Sequence, residues 1–317
     1  MNVEYAIIVR NKTRLETLIE RFNTKAQAKF YIERLGGNFA DYEEEDETFH
    51  DSLNALQARL SKIIRHKVVD RAYVPSFIFS EKNVIVVIGQ DGLVANTAKY
   101  SGGVPIVAVN PDKARYDGIL LPFDVSDFDA AVESVMSGKF HSRTMHFAEA
   151  RLNDGQRLLA FNDLFIGAST HVSARYRISY NDRTEEQSSS GLIVSTPAGS
   201  TGWLSSVFNM AYGVTGLFEK NLRPKQPDLH ENELLFAVRE PFRSVRTQTG
   251  IVAGLITGRD RLNIESLMPS GGVIFSDGIE TDFLKFNSGS IAQIGIARET
   301  ALLVTNGKKA PASKKNR

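Results

Sequence analysis

Val84-Ile85-Val86-Val87-Ile88-Gly89-Gln90-Asp91-Gly92 decides how the rest of the chain is read. Five β-branched residues in a row leave no polar face, which suits a strand buried on both sides in the middle of a parallel sheet. The run stops on two glycines that bracket Gln90 and Asp91, and a helix-compatible segment, Leu93 to Tyr100, follows. In open α/β sheets, ligands bind beyond the carboxyl ends of the strands. Glycines let the backbone turn sharply and approach a ligand, and the N–H groups that open the next helix suit a phosphate. Asp91 adds a carboxylate at the same corner. A plain strand-to-helix corner would use the same residues, so this stretch alone leaves both readings open.

Upstream, Tyr5–Val9 reads as a first strand. Thr13-x-x-Glu16 has capping-box form and Thr24-x-x-Gln27 repeats the signal, so two helices are expected over 13–22 and 24–35, stopped by Gly36-Gly37. The first strand runs into Arg10-Asn11-Lys12 and not into a glycine-rich turn, so the Rossmann fingerprint is absent. Asp41–Glu47 holds six acidic residues and reads as a solvated loop or helix start. Leu53, Leu56, Leu60, Ile63 and Ile64 mark an amphipathic helix, with Lys62, Arg65 and Lys67 near its end, where cations suit the helix dipole.

Downstream, Gly102-Gly103 closes the helix after the central strand. Val104–Val109 reads as a second buried strand, Ile119–Leu121 as a further one, and Ser126–Met136 as a helix stopped by Gly138. Alternating strands and helices predict a parallel, layered α/β domain over 1–142. From Arg143 the texture changes to short apolar runs split by turn signals: Asn153-Asp154-Gly155, Asn181-Asp182, Gly258-Arg259-Asp260, Pro269-Ser270-Gly271-Gly272 and Asn287-Ser288-Gly289. Arg175–Tyr180, Leu234–Val238, Ile251–Ile256, Leu262–Leu267, Val273–Phe275 and Ser290–Ala297 fit short strands. This predicts a β-rich, sandwich-like domain over 143–298, interrupted by one helix near Thr201–Tyr212. Ala301–Val304, within 299–306, is a possible return strand, and 307–317 reads as a disordered basic tail.

Composition excludes several classes. The 317 residues are 42% hydrophobic and 24% charged, ordinary for a globular protein, and the length suits two domains. Net charge is +1, and subtracting the five cations of the last ten residues leaves about −4, so no basic field argues for nucleic acid. The absence of cysteine rules out disulfides and thiolate metal sites and fits a reducing compartment. No apolar run approaches the ~20 residues that span a bilayer, and Met1–Arg10 does not read as a signal peptide. Cytoplasmic location with no membrane partner is the expectation. The six histidines form no i, i+4 pair and no HExxH, so no metal-ligand set is assigned. Gly-x-Ser-x-Gly and Walker motifs are missing, which argues against an α/β-hydrolase and a P-loop NTPase.

Three further stretches carry candidate chemistry. Asn162-Asp163 precedes the apolar Leu164-Phe165-Ile166 and can be a simple turn. Thr196-Pro197-Ala198-Gly199-Ser200-Thr201-Gly202-Trp203 follows a buried strand and opens a helix that Ser200 or Thr201 can cap. Small residues with free N–H groups there suit a phosphate or nucleotide edge. Trp203, the only tryptophan, can stack on a base or pack in the core. Asp277-Gly278 ends a strand in a common hairpin turn.

Taken in order, Gly89-Gln90-Asp91-Gly92, Asn162-Asp163, Thr196–Trp203 and Asp277-Gly278 resemble the motifs of the ATP-dependent NAD kinase family. That family is a branch of the superfamily that includes diacylglycerol and sphingosine kinases. Its corresponding motifs are Gly-Gly-Asp-Gly, Asn-Glu, Thr-Pro-Thr-Gly-Ser-Thr-Ala-Tyr and a late Asp-Gly. The resemblance covers about residues 84 to 278, and the Thr-Pro-x-Gly-Ser-Thr loop is its specific part.

The resemblance implies a two-domain NAD kinase/diacylglycerol kinase-like fold with its site in the cleft, ATP and NAD as ligands, and phosphorylation of the 2′-hydroxyl of the adenosine ribose to give NADP. It implies Asp91 as the catalytic carboxylate, since the hydroxyl must lose its proton as it attacks the γ-phosphate. Gly89, Gly92 and Asn96 would serve ATP phosphates. Asn162, Asp163, Thr196, Ser200, Thr201, Trp203 and Asp277 would serve NAD. Mg2+ would arrive with ATP. Family members are often homo-oligomers, which implies at least a dimer here. The alternatives are a kinase of a lipid or other small alcohol, or a non-catalytic nucleotide-binding homologue. Four departures bear on this. Gln90 replaces a glycine and would add strain or bulk if that position needs a positive φ or must touch phosphate. Ser190 stands where an aspartate is common, Asp163 is a methylene shorter than glutamate, and Asn110-Pro111-Asp112-Lys113 lacks the glycine-rich continuation of the family.

Overall fold

The computed structural model describes residues 3–219, 225, 227–258 and 260–307, apart from the side chains of Glu280 and Thr281. The basic tail expected over 307–317 lies outside the described residues except for Gly307, as does Arg259 in the Gly258–Asp260 turn. The chain divides into two compact units, Met1–Thr144 with Ala301–Arg317, and Met145–Thr300.

In the first unit the elements run β1 (Tyr5–Arg10), α1 (Arg14–Phe22), α2 (Lys25–Arg34), α3 (Ala40–Leu60), β2 (Arg65–Asp70), a 3-10 segment (Arg71–Ser76), β3 (Asn83–Ile88), α4 (Asp91–Ala98), β4 (Ile106–Asn110), β5 (Phe123–Asp124) and α5 (Phe128–Met136). β3 is buried at every residue, as a run without a polar face requires. It lies between β1 and β4, all parallel, with Ile85 opposite both Ile7 and Ile106. One sheet face packs on Phe49, Leu53, Leu56 and Leu60 of α3 and on Phe128, Val132 and Val135 of α5. The α1 capping box forms as expected: the Thr13 hydroxyl accepts from Glu16 N while the Glu16 carboxylate accepts from Thr13 N. Thr24 caps α2.

The acidic run Asp41–Glu47 takes the helix-start alternative and opens one continuous helix, α3, where carboxylates suit the positive end of the helix dipole. Glu45 turns inward and is nine-tenths buried because Arg14 pairs with it. Other expectations change in this unit. Arg65 and Lys67, expected at a helix end, lie in β2, which pairs parallel to β1 from Tyr5↔Arg65 to Arg10↔Asp70. β2 has a neighbour on one side only, and the charges that blunt such an edge also disguise the strand in the sequence. Ile119–Leu121 is a turn and not a strand, for a reason given below.

The strand pairs of the second unit whose register is described are all antiparallel. Its strands are β6 (His141–Leu152), β7 (Arg157–Ala160), β8 (Asp163–Ala168), β9 (Ala174–Tyr180), β10 (Arg183–Ser189), β11 (Leu192–Ser195), β12 (Glu233–Val238), β13 (Ala253–Thr257), β14 (Leu262–Ser266), β15 (Gly272–Ser276), β16 (Ile279–Lys285) and β17 (Ile291–Thr305), with α6 (Trp203–Thr215) after β11. One layer runs β10-β9-β14-β17 and includes β6 and β7; the other runs β13-β12-β11-β8-β15-β16. Alternate residues of both layers, among them Tyr176, Ile178, Ile264 and Ile294 against Leu164, Ile166, Val194 and Phe236, make one core. This is the sandwich expected from the turn spacing. The chain enters this unit within β6 and leaves it within β17. The expected return run Ala301–Val304 is the end of β17, with Leu303 parallel to Ile106 of β4 in the first unit.

Ile85 has no solvent exposure and packs between two parallel neighbours. Ile85→Ala is expected to lower the unfolding free energy by about 2–5 kcal/mol, because the deleted methyl groups leave a cavity the sheet cannot close; urea denaturation checks this.

Candidate functional site

The sequence motifs gather into two groups, one in each unit. In the first unit the backbone leaves β3 through Gly89, whose φ is +154°, and enters α4 at Asp91. Gln90 is the N-cap, with φ −105° and ψ 164°, and its side chain is exposed. The strain expected of a glutamine there is therefore absent, because the position needs no positive φ. Its bulk projects outward, beside the Tyr116 hydroxyl. A Cβ at Gly92 would meet nothing within 4 Å, so the first turn of α4 stands open there. Asn96 lies further along the same helix and is 5% exposed.

Asp91 does not fold back onto its own helix. Its Oδ2 accepts from Ile119 N at 3.2 Å and its Oδ1 from Leu120 N at 2.7 Å. These amides are thereby unavailable to a strand ladder, which is why Ile119–Leu121 turns. Each carboxylate oxygen retains acceptor capacity for a ligand.

In the second unit three stretches far apart in sequence are tied together by backbone bonds. Asp277 sits in the hairpin turn at φ +55°, followed by Gly278 at +70°. Its carboxylate accepts from Phe161 N at 3.2 Å, Asn162 N at 2.6 Å and Asp163 N at 3.3 Å. Its own N–H donates to the Asp163 carbonyl at 3.0 Å. Thr196 N donates to the Asn162 carbonyl at 2.9 Å, and the Thr196 hydroxyl donates to the Phe161 carbonyl at 2.6 Å while accepting from Gly199 N. A Cβ at Gly199 would overlap the Asn162 carbonyl, so only glycine allows this approach. Thr196 has no exposure, so it and Asp277 hold the arrangement through their side chains.

The remaining loop residues are placed differently from the expectation. Ser200 and Thr201 do not cap α6; its N-cap is Gly202, with no side-chain cap bond. The Ser200 hydroxyl donates back to the Pro197 carbonyl at 2.8 Å, while Thr201 is exposed. The Trp203 ring stacks on Phe165 with centroids 5.6 Å apart and planes 11° apart, and the Arg239 guanidinium lies 5.2 Å from its centroid. It is part of an aromatic row with Phe275 and makes no hydrogen bond to the Asn162–Asp163 turn. Sequence reasoning missed Arg239, which carries no motif. It also missed the clamp function of Asp277, whose Asp-Gly pair reads as an ordinary hairpin.

Asp163 is the unusual group. It is 8% exposed, and among the described residues its carboxylate accepts no hydrogen bond. Burial, with the nearby Asp277 charge adding to it, raises its pKa from 3.8 to about 6. The residue is largely buried but its carboxylate oxygens still reach solvent, which leaves them open to a donor from outside the chain. The described residues also contain a Glu16, Asp46 and His50 cluster. Arg10 and Thr13 already bond its carboxylates, which makes it a link between α1 and α3.

No family model matches the chain. In sequence it is similar to the NAD kinases of Burkholderia ambifaria, at 31% identity over 148 residues (43% of this chain, 47% of that protein), and Heliobacterium modesticaldum, at 34% over 129 residues (38% and 44%). The chain spans about half the length of the curated relatives it matches. In fold it is similar to an NAD kinase from Archaeoglobus fulgidus in complex with ATP, with a TM-score of 0.57 at 14% identity over 96% of this chain and 95% of that one. Yeast NADH kinase complexed with NADH gives a TM-score of 0.56 at 16% identity over 96% and 84%.

The Asp163 environment has a measurable consequence. A carboxyl whose pKa is higher in the folded than in the unfolded chain binds more protons when folded between pH 3.8 and about 6. Its contribution to stability therefore falls as pH rises through that window and stays lost above it. Asp163→Asn is expected to raise the unfolding free energy at pH 7.5 by an amount on the order of 1–3 kcal/mol, with little change near pH 4. Chemical denaturation at both pH values checks this.

Proposed function

We propose that this chain, which is similar to NAD kinases in sequence and in fold, transfers the γ-phosphate of ATP to the 2′-hydroxyl of the adenosine ribose of NAD, giving NADP. The observation that carries the reading is Asp163: a nine-tenths-buried carboxylate, lacking a donor, on a turn held by Asp277 and the Thr196 loop. Such a group recognises a ligand hydroxyl or amino group, and a ribose or adenine edge offers both. Asn162, whose side chain makes no hydrogen bond to another described residue, adds a carboxamide beside it.

The first-unit group supplies the phosphate end. Asp91 accepts the proton of the attacking hydroxyl, which needs an acceptor as the O–P bond forms and the ADP oxygen leaves. Two backbone N–H donors fix its carboxylate plane without filling its acceptor capacity. Gly92 leaves the start of α4 clear for phosphate oxygens, which suit the N–H groups and dipole of a helix N-terminus. Gly89 lets the strand turn there, and Asn96 serves the same end. Thr196 and Asp277 act by holding the nucleoside-binding turn, and Ser200, Thr201 and Trp203 line that side. Mg2+ arriving with ATP would neutralise phosphate charge, and Asp91 is the carboxylate of this group that would hold it, since Mg2+ typically takes one or two carboxylates together with phosphate oxygens and waters. Cytoplasmic location and a homo-oligomeric state belong to the same proposal. Among the described residues no helix is long and apolar enough to cross a membrane.

The non-catalytic alternative rested on Gln90, and its negative φ removes the strain argument. Purified chain with Mg-ATP and NAD is expected to form NADP. Asp91→Asn is expected to lower the rate about 100-fold or more. Absence of NADP from the wild type, with both nucleotides binding by calorimetry, would sink the reading. Gln90→Gly is expected to leave the rate within about threefold, because glycine's conformational freedom is not used at this position.

A further inference from the structure

The loop between β4 and β5 contains a device that bears on Asp91. Asn110, the last residue of β4, is 4% exposed. Its side chain works in two directions: Oδ1 accepts from Asp112 N at 2.9 Å, and Nδ2 donates to the Tyr116 carbonyl at 3.0 Å. The Asp112 carboxylate accepts in turn from Ala114 N and Arg115 N, so the loop is wound by side-chain-to-backbone bonds. Ser52 of α3 donates to the Pro111 carbonyl at 2.9 Å. The chain then reverses at Gly118, with φ +65°, and Leu121 N closes the turn on the Gly118 carbonyl at 3.1 Å. A Cβ at Gly118 would lie 2.6 Å from Asn110 Nδ2 and 3.3 Å from Leu121 Cβ. The next two amides after Gly118 are the ones that bind Asp91.

From this geometry we infer that Asn110 and Gly118 are positioning residues for Asp91: they shape the 110–121 loop so that the Ile119 and Leu120 amides lock the orientation of the Asp91 carboxylate. An aspartate has two side-chain torsions, and the hydrogen bonds described for this one come from the 110–121 loop. With one amide on each oxygen its plane is set, and the same face is always offered outward. Displacement of a reacting group by about 1 Å can cost on the order of 100-fold in rate, so a lock of this kind acts on turnover more than on substrate affinity. The effect of Asn110 and Gly118 passes through the two amides.

The consequence for turnover rests on the phosphotransferase reading; the lock itself does not, and the two are separable. The wild-type chain, Asp91→Ala, Asn110→Ala and Gly118→Ala are compared by amide NMR and by steady-state kinetics with Mg-ATP and NAD. Loss of both acceptor oxygens in Asp91→Ala identifies the shift of the Ile119 and Leu120 amide protons when unlocked. The expectation is that Asn110→Ala and Gly118→Ala move both amides toward those positions, lower kcat about 10- to 100-fold, and leave KM for each nucleotide within about threefold. Asn110→Ala adds no strained φ, so it carries the test if Gly118→Ala does not fold. Amides that stay at their wild-type positions in Asn110→Ala overturn the inference. So do amides that move while kcat is unchanged, or a loss that falls only on KM. If the wild type forms no NADP, the functional reading fails and the amide shifts decide the lock alone: movement supports it and no movement overturns it.

Discussion

Backbone N–H groups in a tight turn need acceptors, and in this protein aspartate side chains supply them at both places where the sequence motifs converge. Asp91 takes two amides from the 110–121 loop, and Asp277 takes three from the Phe161–Asp163 turn. The same bonds serve two ends. They satisfy the backbone, and they fix where a carboxylate or a turn sits. Loss of either aspartate would leave several amides without a partner, so the local geometry depends on these side chains as much as on the sheets beneath them.

Two neighbouring carboxylates of the second unit, Asp163 and Asp277, are placed differently. Asp277 is surrounded by donors and stabilises the turn, while Asp163, in the same turn, has none from the described residues. That asymmetry separates an aspartate that ties the turn from one whose oxygens are open to a donor from outside the chain, and burial beside the Asp277 charge raises the pKa of Asp163.

Much of the fold was legible because its signals are local. The β-branched run of β3, the capping boxes at Thr13 and Thr24, and the turn dipeptides of the β-rich half each express a preference of the residues themselves. Asn181 and Asp182, both at positive φ between β9 and β10, are a clear case. The edge strand β2 was not legible, since four of its six residues are charged or polar and its pairing comes from β1. The turn at Ile119–Leu121 was hidden as well: its apolar residues look like a strand, and only Asp91, 28 and 29 positions away, diverts their amides.

For the site, the sequence alone singled out the stretches that carry candidate chemistry, because glycine, aspartate and the hydroxyl-rich loop have few substitutes for the bonds and turns they make. Tertiary structure decided what each one does. It made Thr196 and Asp277 ties, turned Ser200 back on its own loop, set Trp203 against Phe165 and Arg239, and gave Gln90 an unstrained, outward place at the head of α4. The physical reason is that a residue's type sets which bonds it can make, whereas the partner that takes each bond lies far off in the chain and is brought there only by the packed sheets.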